Sequence, residues 1–144
     1  MNEIIKIVIK GESSPKEERF VYRDKITLTG DTFKYRYIPI SGADVIPPRK
    51  WKLKSNSLYF QRLFQDVAEM ITDVIDRDEY PETEEYGPVT FIVTYSDGSG
   101  VKREIVTDRR VFLDLFLKIR EFIPHCELDL PTLLLNNGVD TSFN

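Results

Sequence analysis

Apolar residues at every second position open the chain. Ile5, Ile7 and Ile9 alternate with Lys6, Val8 and Lys10, the period of two expected for a strand with one face on a core. Gly11 to Lys16 breaks the pattern with turn residues. A second strand is expected over 19–29, and Gly30-Asp31 turns the chain into a third over 32–40, where Phe33, Tyr35 and Tyr37 alternate with Lys34, Arg36 and Ile38. Two prolines make 41–49 irregular, because Pro47 and Pro48 lack donors and bias Ile46 away from helix. A short strand over 50–54 follows.

The period then changes. Behind Asn56 or Ser57 as N-cap, Phe60, Leu63, Phe64, Val67, Met70, Ile71 and Val74 recur at three- and four-residue steps, with Gln61, Arg62, Gln65, Asp66, Glu69 and Asp73 between them. That spacing predicts an amphipathic helix over about 57–77 that buries one stripe and ends by Tyr80-Pro81. An acidic connector leads to a strand over 88–95. Ser96-Asp97-Gly98-Ser99-Gly100 then forms a hairpin turn, since Asp-Gly supplies the positive φ that tight antiparallel turns require. The return strand covers about 101–106. Asp108 caps a second helix over 108–123, carrying Val111, Phe112, Leu115, Phe116, Ile119, Phe122 and Ile123 and stopped by Pro124.

An internal echo links the halves at an offset of 52 residues: Phe60, Leu63, Phe64, Glu69 and Ile71 fall on Phe112, Leu115, Phe116, Glu121 and Ile123. Both halves read strand, strand, helix, which suggests a duplicated unit without requiring one. The expected fold class is α+β, an antiparallel sheet of about five strands with two amphipathic helices on one face. At 144 residues, 41% of them hydrophobic, the chain supplies one core and not two. The expected division is a single domain over 1–135 and a polar C-terminal tail over 136–144, after the leucine-rich segment Leu128 to Leu135.

Charge adds an asymmetry. Residues 1–56 carry 12 Lys+Arg against 7 Asp+Glu, a balance of +5, whereas residues 57–144 carry 8 against 17, a balance of −9. Cys126 is the sole cysteine, which excludes an intrachain disulfide and fits a reducing compartment. Charges at Glu3, Lys6 and Lys10 break any signal-peptide core, and no apolar run approaches the ~20 residues of a membrane span, so a cytoplasmic protein is expected.

Candidate chemistry is sparse. His125-Cys126 is the one pair that suggests a nucleophile or a metal, but sequence neighbours tend to diverge, and no second His assists. Gly98-Ser99-Gly100 lies between strands, whereas a phosphate-cradling loop feeds a helix N-terminus. No cofactor, metal or catalytic residue is assigned. The carboxylates Asp73, Asp76, Asp78, Glu79, Glu82, Glu84 and Glu85, with Arg77, put a charge of −6 on thirteen residues, and their spacing matches no calcium loop. Asp73, Asp76 and Asp78 fall at or just past a helix C-terminus, where the dipole disfavours anions. The partner-binding candidates are therefore Asp76, Asp78, Glu79, Glu82, Glu84 and Glu85, a hook for a basic protein surface. On 50–54 the lysines point one way and Trp51 and Leu53 the other. This leaves a basic outer face of Lys50, Lys52 and Lys54 that Lys34 and Arg36, or Lys6 and Lys10, extend. Against nucleic acid stand a pI near 5.1 and aromatic residues alternating out of phase with the lysines.

The function expected first is thus a non-enzymatic domain binding a protein partner, with nucleic-acid binding through the basic sheet face second and a small enzyme third. The state expected is a monomer or weak homodimer, with Leu113 and Leu117 covered by the leucine-rich tail or by a second copy.

Overall fold

All six alternating segments form strands, and the register between them gathers their apolar positions on one face. The computed structural model describes residues 3–123. His125, Cys126, the leucine-rich segment and the expected tail lie outside the described residues. The strands are β1 (Ile4–Glu12), β2 (Tyr22–Thr29), β3 (Thr32–Pro39), β4 (Arg49–Lys54), β5 (Val89–Tyr95) and β6 (Gly100–Ile105). They make one sheet in the order β4-β3-β2-β1-β5-β6, with every neighbouring pair antiparallel. Six strands rather than five close the count. β1 to β4 form a meander, and helix α1 (Leu58–Asp76) carries the chain from the β4 edge back to β5, beside β1.

Cross-strand partners Leu28 and Phe33, Ile9 and Ile26, and Ile9 and Phe91 show how alternation becomes a buried layer. Both helices lie on this layer. Phe60, Leu63, Phe64, Val67 and Ile71 of α1 are buried against it, as are Leu115, Phe116 and Ile119 of α2 (Leu113–Arg120). The Phe60 ring meets Phe122 edge-on at 4.7 Å, Phe112 meets Phe91 at 5.2 Å, and Trp51 stacks on Phe33 at 5.2 Å. Among the described residues, no helix is long and apolar enough to cross a membrane.

Local chemistry sets the boundaries. Ser57 is the N-cap, its Oγ accepting the Phe60 N–H at 3.1 Å. Gly98 takes φ 88° in the β5–β6 turn, where Asp97 Oδ1 accepts the Ser99 N–H at 2.9 Å. Two expected boundaries move. β2 begins at Tyr22 rather than residue 19, because Val21 is tied instead to the corner after β3: its carbonyl accepts the Ile40 and Ser41 N–H groups and its N–H meets Ser41 Oγ. The expected helix over 108–123 opens as a 3-10 turn, Arg109–Phe112, and its α portion ends at Arg120. The duplicated halves are compatible with this topology, since β3-β4-α1 and β5-β6-α2 occupy the two sides of the sheet with β1 and β2 between them. The eight residues of α2 against nineteen in α1 mark where the likeness ends.

Candidate functional site

The helices cover one face of the sheet, so the alternate residues of every strand look out from the other. Register turns the basic residues of four strands into a grid. Lys50, Arg36, Lys25 and Lys10 lie directly opposite one another in a row across β4, β3, β2 and β1. The next row is Lys52, Lys34, Thr27 and Val8, and the third is Lys54, Thr32, Thr29 and Lys6. These twelve positions hold eight cations, three threonines, one valine and no carboxylate. All eight cations are exposed. Neighbouring strands lie about 4.8 Å apart and alternate residues about 6.7 Å apart, so the grid measures roughly 14 by 13 Å.

Four pairs in the grid, Lys52 with Lys34, Lys50 with Arg36, Arg36 with Lys25 and Lys25 with Lys10, set like charges directly opposite each other. Such pairs destabilise a sheet. Carboxylates appear only at the margins. Glu12 pairs with Arg23 at 3.3 Å beyond one end. At the other end Asp31 has its pKa lowered by hydrogen bonds from Thr29 and Thr32. On the far edge strand Glu104 lies opposite Thr90, which continues the first row past Lys10. Two solvent-open depressions mark the face, one of about 360 Å³ touching Lys10, Lys25 and Arg36 together with the carboxylates Glu12, Asp24 and Glu104, and one of about 500 Å³ touching Lys25, Lys34, Lys50 and Lys52 together with Tyr35 and Trp51. The structure therefore joins Lys34, Arg36, Lys50, Lys52 and Lys54 as expected and adds both Lys6 and Lys10. Lys25 joins them with no signal of its own in the sequence. Its place beside Arg36 depends on register, which no local pattern reveals.

The acidic candidates Asp76, Asp78, Glu79, Glu82, Glu84 and Glu85 are exposed along the connector between α1 and β5. Their backbone is held firmly. Arg103, on the helix-facing side of β6, donates to the Ile75 carbonyl at 2.6 Å and to the Asp78 carbonyl at 3.3 Å. It thus supplies the cation that the α1 C-terminus wants. The expected dipole penalty on Asp73, Asp76 and Asp78 is offset by this guanidinium, and sequence alternation alone did not single Arg103 out. Arg77 and Arg103 also lie against the Tyr80 ring, at 4.6 and 5.1 Å. Burial raises the Tyr80 pKa, and both guanidiniums oppose that rise.

Further along, Thr107 Oγ1 donates to the Pro81 carbonyl at 2.7 Å, and Lys16 pairs with Glu85 at 2.5 Å. Gly87 passes so close to β1 that a Cβ there would fall 2.2 Å from the Ser13 carbonyl oxygen. Arg109, only 2% exposed, donates to the Glu12 carbonyl and draws the start of the second helical segment onto the same corner. Among the described residues, no group of three or more His, Cys, Asp or Glu converges as a metal site. Comparison with protein-family models, curated proteins and solved structures returned no match.

Proposed function

We propose that the protein is a non-enzymatic binding domain whose working surface is the open face of the sheet and whose partner is polyanionic. One observation carries this reading: four like-charged pairs stand directly opposite one another in a grid free of carboxylates, an arrangement that works against folding and that an anionic partner would relieve. The low pI does not oppose it. With eight of the 20 basic residues on the grid, the rest of the chain carries −12 against a net charge of −4, so the charge is segregated rather than absent. The acidic connector carries less weight as a hook, because its carbonyls anchor Arg103 and Glu85 already pairs with Lys16.

The test is retention on an immobilised sulfated polysaccharide over a salt gradient, for the full chain and for K25Q/R36Q. These side chains are exposed, so the variant is expected to fold with an unchanged or raised thermal midpoint while eluting at lower salt. If the unaltered chain passes straight through at low salt, or if the variant elutes with it, the open face is only a solvated surface.

A further inference from the structure

Taking the open sheet face as the binding surface, we infer that its ligand is the sugar-phosphate backbone of double-stranded nucleic acid, held without regard to base sequence. The inference rests on the polyanion reading above and narrows it by three observations.

The first is the kind of cation. Seven of the eight are lysines and one is Arg36. Protein interfaces favour Arg, Tyr and Trp and are depleted in Lys, whereas a lysine ammonium serves phosphate oxygens as a point charge. The Thr27 hydroxyl, next to Lys34 in the second row, is also of a kind that commonly donates to phosphate, whereas those of Thr29 and Thr32 already donate to Asp31.

The second is the direction of the rings. Proteins that take single strands add aromatic platforms on which exposed bases stack. Here Phe33, Tyr35 and Tyr37 are buried on the helix side of β3, and Trp51 of β4 packs against the same core. No grid position holds a ring, although Tyr35 and Trp51 border the larger depression between the grid residues. A duplex needs no platform, because its bases are already stacked and it offers phosphates alone. Two rows of phosphates also match a two-dimensional grid better than a single file does.

The third is breadth. A helix or a two-stranded ribbon enters a major groove of about 12 Å, but six strands span about 24 Å. The sheet can lie across the backbones and cannot reach the base edges between them.

The experiment measures binding of the full chain to 20-base-pair DNA and RNA duplexes, each in two unrelated sequences, and to their separated strands, by anisotropy between 50 and 300 mM salt. The expected result is equal affinity for unrelated duplexes of one type and binding to single strands weaker by about tenfold, the value of roughly one missing stacking platform. Log affinity should fall against log salt with a slope that K25Q/R36Q makes shallower by about 2, near 0.9 for each phosphate left without its cation. The DNA and RNA arms identify which duplex is preferred. Single strands binding as tightly as duplexes, or a strong preference between sequences, would overturn the duplex inference while leaving the polyanion reading intact. Retention on the sulfated polysaccharide with no binding to any nucleic acid would also reject the duplex and point to an acidic protein or glycan. Failure on every polyanion would reject both readings.

Discussion

The Asp108 carboxylate accepts the Arg110 backbone N–H at 2.9 Å and the Arg110 guanidinium at 2.5 to 3.0 Å. The side-chain hydrogen bond from Arg110 is the largest cause that holds its pKa down to about 2. A carboxyl depressed in the folded state contributes stability that is fully present above its unfolded pKa of about 3.9 and is lost as pH falls through the folded value. The acid-sensitive window for this residue therefore runs from about pH 4 down to about 2. D108N keeps an acceptor at the cap and removes the charge, so it should cost most at neutral pH, about half as much near pH 3, and little only once the pH falls to about 2. Urea midpoints of the two proteins at pH 7, 4 and 2.5 should converge as pH falls. A gap that stays constant across that range would show that the carboxylate's charge contributes nothing.

At the scale of elements, Phe64 on α1 and Phe116 on α2 are both buried in the one core cluster, although the echo that aligns them spans 52 residues. Replacing either by Ala should cost about 3–5 kcal/mol by chemical denaturation, a large part of a domain's usual margin. A loss below about 1 kcal/mol at both sites would place the core elsewhere. The elements were legible because each strand and α1 carries its period in its own residues, and because Asp97-Gly98 encodes a turn locally. The split of the second helix was not. Its first turn is shaped by Asp108 binding two residues ahead and by Arg109 reaching back across the fold to Glu12, a pair separated by 97 residues. The same limit governs the site. Period two placed Lys50, Lys52 and Lys54 on one side of β4, but only register aligns Lys25 and Lys10 with them, and only the fold turns Arg103 into the cap of α1.

On the whole molecule the two charge clusters, separate in sequence, become separate in space and role. The grid spans β4 to β1, while the connector from Asp73 to Glu85 is latched beside the ends of β1 and β5 by Thr107, Lys16 and the close approach of Gly87. An anion approaching the sheet meets attraction over the grid and repulsion at the connector, which biases the orientation of encounter more than the strength of the final complex. E82Q/E84Q/E85Q should therefore leave thermal stability nearly unchanged, apart from the exposed Lys16–Glu85 pair, since such pairs contribute little. It should also speed association with a duplex at low salt. The gain should fade toward 0.3 M salt, because the screening length is already only about 8 Å at 0.15 M. Stopped-flow association rates at three salt concentrations test this directly. Slower association at low salt, or a gain that persists undiminished at high salt, would show that these glutamates act in the binding step by something other than long-range repulsion.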